Sequence, residues 1–249
     1  MDLLGVTITQ ITKQQALEKV SGFLHPLIGE QALLNQYKIF TPNPEMLVKA
    51  QKDKYFKNVL NSGDLNLCDG MGVQIFTGIK RIPGADFMLE LCALAEKESK
   101  GVYLLGSGDE IVIQNTFKAL HKKFPNLKIS GYNKGPVLNE AAMQQFDVCI
   151  IDEINKTGAE ILFVAFGMGK QEKWIYENLS NMPHINVAMG VGGSFDFISN
   201  RIKRAPLFLR RLGLEWVYRL WQEPARIGRI FNATVVFTWL VIQEKIWKK

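Results

Sequence analysis

Five short apolar segments, each followed at once by a polar or glycine-rich turn, constrain the fold of this chain more than any other feature. They are KIF before TPNPE, LNLC before DGMG, VYLL before GSGDE, ILFVAF before GMGKQE, and NVAM before GVGGSF. Continuous apolar runs of this length are typical of strands buried on both faces of a sheet. Segments with helical spacing lie between them, and one has apolar residues at Ile111, Phe117, Leu120 and Phe124. This alternation predicts an α/β fold with a mainly parallel sheet and helices on both faces.

The strand-and-turn pattern stops near Ile198, and the positive charge begins there. From Arg201 onward the chain has 11 Lys+Arg and 3 Asp+Glu, a net charge of +8, although the net charge of the whole sequence is +6. We predict an α/β domain over residues 1–198 and a basic helical appendage over residues 199–249, bent or interrupted at Pro224. A basic segment implies an anionic partner, which composition alone leaves as a lipid surface, a diphosphate or a nucleic acid.

Aromatic and cationic residues in this C-terminal segment suggest two uses for it. Its tryptophans are Trp216, Trp221, Trp239 and Trp247. In a basic, half-apolar helix they suit a position at a membrane interface, or they pack on the core or on a neighbouring subunit. The apolar run 235–242 is too short to span a bilayer. Arg219, Arg226 and Arg229 would share one face if the helix continued past Pro224, either to grip phosphate oxygens or as a solvated basic face.

Two polar motifs follow the first two predicted strands. In TPNPE, Asn43 before Pro44 suits a helix N-cap, whereas Thr41 and Asn43 would also present polar groups where open α/β sheets bind ligands. In CDGMG, Asp69 precedes two glycines. Asp-Gly is an ordinary turn, but a carboxylate at the rim of a sheet is also a candidate general base. Each motif alone leaves both interpretations open.

Glycine-rich turns follow the other three predicted strands, at Gly106-Ser107-Gly108, Gly167-Met168-Gly169 and Gly190-Val191-Gly192-Gly193. Each would leave backbone N–H groups at a helix N-terminus, where anions bind. Three such turns at one sheet edge favour a nucleotide or phosphate ligand. The dinucleotide fingerprint is incomplete, because Ile111 occupies its third glycine position, and no P-loop motif occurs.

The sequence lacks the patterns of a metal site. Its histidines, His25, His121 and His184, are far apart, no DxD motif occurs, and the three cysteines form no CxxC pair. We therefore expect no metal and no disulfide framework, which fits a reducing compartment. The N-terminal residues do not have the pattern of a signal peptide, so we expect a cytoplasmic location.

Taken together, these segments resemble the WecG/TagA/CpsF proteins, glycosyltransferase family 26. The matching stretches are TPNPE, LCDGMG, LLGSGD, FVAFGMGKQE, GVGGSFDF, RIKRAP, GLEWVYRL and EPARIGR. They occur in the order of the family and cover nearly the whole chain. Two positions depart from the family pattern: Gly169 stands where proline is usual, and Asn200 stands where glycine is usual. Both changes affect the backbone of loops.

The resemblance implies a Rossmann-like catalytic domain and a metal-independent, inverting transfer of a sugar from a UDP donor, without a cofactor. The implied acceptor is undecaprenyl-diphosphate-GlcNAc. In TagA-like members the donor is UDP-ManNAc and the product primes wall teichoic acid, whereas WecG-like members use the uronic acid form. The implied partners are the donor, the lipid-diphosphate acceptor and the inner face of the cell membrane, without nucleic acid. A homo-oligomer is left open.

The same resemblance assigns roles by position. Asp69 would be the catalytic base. Thr41, Asn43 and Gln171 would line the site, and Arg219, Arg226 and Arg229 would reach the diphosphates. The glycine turns would add amide contacts to the substrate, at Gly106, Gly190, Gly192 and Gly193. From the residues alone, two other classes stay open: a nucleotide-dependent reductase, favoured by the partial GSGDEI fingerprint, and a membrane adaptor without catalytic activity, favoured by the basic tail.

Overall fold

The computed structural model describes residues 1–25, 36–136 and 140–247 of the chain. Within these ranges, the side chains of residues 140–145, Arg211, Arg226 and Trp247 lie outside the description. Two sheets are present. Their strands are β1 (Asp2–Leu3), β2 (Val6–Thr7), β3 (Tyr37–Phe40), β4 (Leu65–Asn66), β5 (Val102–Gly106), β6 (Ile129–Asn133), β7 (Ile161–Ala165) and β8 (Val187–Gly190).

The main sheet has six strands in the order β4-β3-β8-β7-β5-β6, and every neighbouring pair is parallel. The five apolar runs of the sequence form five of these strands, which confirms the predicted α/β class. Strand β6 was not predicted, because its sequence ISGYN is polar and partly exposed at the edge of the sheet. The short β1 and β2 form a separate antiparallel pair.

Helices cover both faces of the main sheet. They are α1 (Lys13–Leu24), α2 (Pro44–Lys52), α3 (Lys54–Asn61), α4 (Met71–Thr77), α5 (Gly84–Lys97), α6 (Glu110–Lys123), α7 (Glu140–Thr157), α8 (Lys170–Asn178), α9 (Ser194–Ile198), α10 (Leu207–Arg211), α11 (Glu215–Gln222), α12 (Ile227–Phe231) and α13 (Phe237–Trp247). Short 3-10 helices span Leu179–Asn181 and Pro224–Arg226, and a π-helix spans Asn232–Val236.

In the inner strands of the main sheet, successive side chains pack into two separate hydrophobic cores, one on each face. In β5, Tyr103 and Leu105 pack with residues of α2, α3 and α8 on one face, whereas Val102 and Leu104 pack with α1, α5 and α6 on the other. The chain leaves β5 through α6 on one face and leaves β7 through α8 on the opposite face. Ligands bind at such a change of direction in open α/β sheets, so the loops after β5 and β7 form the expected crevice.

The sequence pattern described α6 less well. The helix begins after Asp109, whose carboxylate accepts hydrogen bonds from the Ile111 and Val112 amides. Ile111, which we counted in the apolar stripe, is 69% exposed, and the buried face includes Val112, Ile113 and Leu120. The predicted stripe was therefore wrong at its first position, because the two residues that follow Ile111, Val112 and Ile113, face the core in its place.

The C-terminal segment is helical, and its last helix packs against the α/β core. The chain breaks after α11, where Glu223 has an extended backbone and Pro224 starts a 3-10 helix, as the proline predicted. On α13, Phe237 and Val241 are buried, and the Phe237 ring packs edge-on against Phe76 at 5.7 Å. These side chains of α13 therefore complete the core on the α2 face of the sheet.

Gly106, at the end of β5, is required for the close approach of β5 and β7. Its φ is +115°, and a Cβ there would lie 2.7 Å from the carbonyl carbon and oxygen of Ala165. We expect Gly106→Ala to lower the free energy of unfolding by about 2 kcal/mol or more in urea denaturation. Gly22→Ala in α1 is the matched control, because a Cβ at Gly22 meets nothing within 4 Å and alanine favours a helix by up to about 1 kcal/mol. Similar losses in both variants would contradict this explanation.

Candidate active site

A polar cleft of about 400 Å³ opens at the carboxyl edge of the sheet, where the loops after β3, β4, β5, β7 and β8 meet two helical segments of the C-terminal region. Eight of the predicted site residues line it: Thr41, Asn43, Asp69, Gln171, Gly192, Gly193, Arg219 and Arg229. These residues come from six separate stretches of sequence. The size is that of an ordinary small-ligand site.

Two predicted glycines do not line the cleft but shape its walls. Gly106 allows β5 to approach β7 closely. Gly190 provides space for Gln171, since a Cβ at Gly190 would lie 2.8 Å from Gln171 Nε2. Arg226 lies in the 3-10 helix Pro224–Arg226, and its side chain is outside the described residues. Its predicted contact with a diphosphate stays a prediction.

Asp69 lies half-buried in the cleft, three residues after the end of β4. Its backbone N–H donates to Pro42 O at 3.1 Å, and its Oδ2 accepts a long hydrogen bond of 3.4 Å from the Gly84 amide. Removal from water raises the pKa of Asp69 to about 6, and the negative charge of Glu215 adds to this effect. The amide hydrogen bonds and the Arg81 charge act in the opposite direction. A carboxyl group with this pKa is ionised at neutral pH and still basic enough to accept a proton.

For the TPNPE motif the structure confirms the helix cap, whereas binding of a ligand by Thr41 and Asn43 stays a prediction. Asn43 caps α2, because its Oδ1 accepts a hydrogen bond of 3.0 Å from the Met46 amide, and Pro44 is the first helical residue. Asn43 and Thr41 also line the cleft. The capping prediction is therefore confirmed, and the cap places α2 with its positive end at the cleft.

The two described arginines reach the cleft although α11 ends before Pro224. Arg219 lies over the Phe197 ring, with its guanidinium carbon 4.8 Å from the ring centroid, and approaches Glu223 at 3.8 Å. Arg229 forms a two-point ion pair with Glu45, at 2.7 and 2.9 Å. This hydrogen-bonded carboxylate raises the pKa of the Arg229 guanidinium. Arg219 and Arg229 thus line the same cleft although the helix does not continue past Pro224.

Several residues of the site were not predicted. Ser107 lines the cleft with a φ of +89°, a backbone conformation that non-glycine residues adopt only rarely. Neither Glu45, which pairs with Arg229, nor Glu172 was singled out from the sequence. The sequence signal for Glu172 is the polar pair Gln171-Glu172 at the start of α8. The structure buries both side chains, which are 4% and 1% exposed. Buried polar neighbours of this kind are uncommon without a specific role.

The two departures from the family pattern have clear backbone consequences. Asn200 has a φ of +59°, which glycine adopts most easily and asparagine tolerates. Gly169 has a φ of +86°, which proline cannot adopt. The loop before α8 therefore has a backbone here that differs from that of relatives with proline at this position. A Cβ at Gly169 would also lie 2.2 Å from Lys49 Nζ.

Titratable residues do not cluster as metal ligands in the part of the chain that the structure describes. No group of three or more His, Cys, Asp or Glu side chains is placed to hold an ion there. The cationic groups that face the cleft are guanidinium side chains.

The open parallel sheet has a polar cleft at its carboxyl edge, and the cleft is lined by one carboxyl group of raised pKa and by two arginines. This arrangement is typical of α/β enzymes that act on nucleotide-linked or phosphorylated substrates. The family model for the glycosyl transferase WecG/TagA/CpsF family matches residues 1–249. The chain therefore belongs to the WecG/TagA/CpsF family. This membership favours the transferase hypothesis over the reductase and the adaptor.

Curated relatives carry one common name. The chain is 34% identical to the N-acetylglucosaminyldiphosphoundecaprenol N-acetyl-beta-D-mannosaminyltransferase of Bacillus subtilis (strain 168), over 83% of this chain and 80% of that protein. It is 32% identical to the protein of the same name from Bacillus spizizenii, over 87% and 84%. It is 30% identical to that of Staphylococcus aureus (strain MW2), over 98% and 93%.

Proposed function

We propose that this protein transfers N-acetylmannosamine from UDP-ManNAc to undecaprenyl-diphosphate-GlcNAc, with inversion at the anomeric carbon. Family membership and the shared name of the relatives support the reaction. The observation that carries the proposal is the half-buried Asp69 carboxyl group in a cleft that also holds Arg219 and Arg229. This arrangement provides one base and two cations, which an acceptor hydroxyl and a departing diphosphate require.

The chemistry follows from these groups. The Asp69 carboxylate takes the proton from the acceptor hydroxyl as its oxygen attacks the anomeric carbon of the donor. The bond from that carbon to the UDP oxygen breaks, and the electron pair leaves with UDP. The growing negative charge on the diphosphate meets Arg219, Arg229 and, by sequence position, Arg226. Glu45 holds Arg229 in place before the substrate binds.

The donor is tested by profiling UDP sugars with a short-chain GlcNAc-diphosphate-lipid acceptor. We expect product with UDP-ManNAc and much less with UDP-GlcNAc or with UDP-ManNAcA, the WecG-type donor. Product from UDP-ManNAcA alone would replace our donor assignment with the uronic acid. No product with any UDP sugar would reject the proposal. The same assay with EDTA tests metal independence, because turnover that requires a divalent ion would contradict the role given to the arginines.

We also propose that the C-terminal segment docks on the inner face of the cell membrane, where a lipid-linked acceptor lies. Most of the exposed large apolar side chains among the described residues lie between Leu207 and Ile246. On the last helical stretch, Val235, Trp239, Ile242 and Ile246 form an outer apolar stripe, opposite the buried Phe237 and Val241. The exposed Trp239 does not pack on the core, so the alternatives are a membrane surface or a second subunit. No described helix is long and apolar enough to cross a bilayer.

Vesicle binding tests this docking. We expect Trp221→Ser/Trp239→Ser to weaken binding to vesicles containing anionic phospholipid by about tenfold or more, because two indoles lose their transfer free energy. The control is Tyr176→Ser, which removes an aromatic ring that is 45% exposed on α8, compared with 46% for Trp239. If the double variant bound vesicles normally but changed from oligomer to monomer by light scattering, the stripe would be a subunit interface instead.

The division into an α/β domain over residues 1–198 and an appendage over residues 199–249 stays a prediction.

A further inference from the structure

A buried chain of three hydrogen bonds links the loops after β7 and β8. The Gly169 amide donates to Glu172 Oε2 at 2.6 Å, and Gln171 Nε2 donates to Glu172 Oε1 at 2.8 Å. The Gly192 amide donates to Gln171 Oε1 at 2.9 Å. Glu172 and Gln171 are 1% and 4% exposed. The chain of bonds thus runs from a carboxylate that lies behind the cleft to a turn that lines it.

We propose that Glu172 is a positioning residue for the transfer reaction, acting through Gln171 to hold the turn from Val191 to Gly193 in its substrate-binding shape. The proposal rests on the proposed function, because it assumes that this cleft binds the donor. Glu172 itself does not line the cleft.

The direction of the hydrogen bonds is set by the backbone amide of Gly192. This N–H can only donate, so the Gln171 side chain turns its carbonyl oxygen toward Gly192. Its NH2 group then faces Glu172, whose Oε1 accepts the hydrogen bond. With an amide at position 172, one end of that side chain would be a donor facing another donor. Either the cap on Gly169 or the bond to Gly192 would be lost.

Packing prevents the network from relaxing. Gln171 lies against Gly190 so closely that a Cβ there would be 2.8 Å from Nε2. Burial raises the pKa of Glu172, and the positive charge of Lys49, which lies beside Gly169, acts in the opposite direction. A helix cap needs only one side-chain oxygen, since Oδ1 of Asn43 and Oδ1 of Asp53 each accept one backbone hydrogen bond. The second oxygen of Glu172 serves Gln171, which a purely structural cap would not require.

The test is Glu172→Gln, compared with Asp53→Asn. The control makes the same change from carboxylate to amide at a helix cap, and Asp53 also contacts α8 through Lys173 at 2.7 Å. We expect Glu172→Gln to weaken UDP binding in calorimetry and to lower kcat/KM for the donor, each by about 10- to 100-fold, because small displacements of binding groups have effects of this size. Asp53→Asn should change the UDP affinity and kcat/KM by less than about threefold, since this variant loses only a partly exposed helix cap.

Unchanged UDP affinity and kcat/KM in a folded Glu172→Gln protein would overturn the proposal. Failure of the wild-type protein to bind UDP would instead reject the proposed function.

A second measurement does not depend on activity. Hydrogen exchange of the peptide containing Gly192 should be faster in Glu172→Gln than in the wild-type protein, because the Gly192 amide loses its acceptor. The exchanged pair Gln171→Glu/Glu172→Gln restores an acceptor for each donor, so exchange should return toward the wild-type rate. The double variant should show this wild-type-like exchange even if Glu172→Gln alone fails to fold. Equal exchange in the single variant, or no recovery in the double variant, would show that the bonds do not have this direction.

Discussion

Asp69→Asn is expected to lower the rate of transfer by about two to four orders of magnitude, because the amide cannot accept the proton of the acceptor hydroxyl. In the wild-type protein, kcat/KM should rise with pH up to about 6, the pKa of Asp69, and be level above it. The residual activity of the Asp69→Asn variant should not show this rise of kcat/KM with pH. Transfer is measured with the lipid analogue between pH 5 and 8.

The same variant is expected to be more stable than the wild-type protein at neutral pH. Because the pKa of Asp69 is about 6 in the folded protein, against an ordinary value of 3.8, the folded state binds the proton more tightly. This contribution to stability is fully present below pH 3.8 and is lost as the pH rises through 6. At pH 7.5 the buried charge therefore costs about 1 to 3 kcal/mol, which asparagine avoids while still accepting from the Gly84 amide.

These two results together separate catalysis from folding. A variant that is inactive yet unfolds at higher urea than the wild-type protein has lost a chemical group and not its structure. Asp152→Asn is the control, since this exposed carboxylate pairs with Lys156 on the surface and should change neither activity nor stability measurably. Normal turnover by Asp69→Asn would remove the basis of the mechanism.

Arg219→Ala is expected to lower kcat by about 100- to 1000-fold, the usual effect of removing one group that stabilises charge in the transition state. Its guanidinium lies on the Phe197 ring and reaches the turn at Gly193, where a Cβ would be 3.5 Å from Nη2. Arg219→Lys keeps the charge but not the planar, two-point geometry, so we expect an intermediate loss. The affinity for UDP should fall more in Arg219→Ala than in Arg219→Lys.

The control for Arg219 is Arg201→Ala. It removes an equal charge from the same basic segment, but Arg201 is exposed, pairs with Asp109 and Asp196 at 3.5 and 3.7 Å, and does not line the cleft. If both variants lost activity equally, the effect would come from the overall charge of the segment and not from a contact with the diphosphate. Vesicle binding, measured in parallel, distinguishes weakened docking from weakened chemistry.

Much of the fold and part of the site could be predicted from local sequence. The five apolar runs became strands, and the TPNPE motif became a helix cap, because burial on both faces and capping depend on neighbouring residues. The edge strand β6 was missed, since its partly exposed residues lack the apolar signal. Ile111 was placed wrongly, since the spacing of apolar residues did not show that its neighbours Val112 and Ile113 face the core in its place.

By itself, the sequence determined the α/β class, the order of strands and turns along the chain, and the side chains available at the carboxyl edge of the sheet. These properties follow from spacing between residues close in the chain. Only the tertiary structure decided which of these side chains meet, as when Arg229 pairs with Glu45, 184 residues away. It also decided that Gly106 and Gly190 make room for other groups, and that Glu172 faces Gln171. Such pairings depend on how the crossovers and the returning C-terminal helices pack, and that packing is set by contacts between distant parts of the chain.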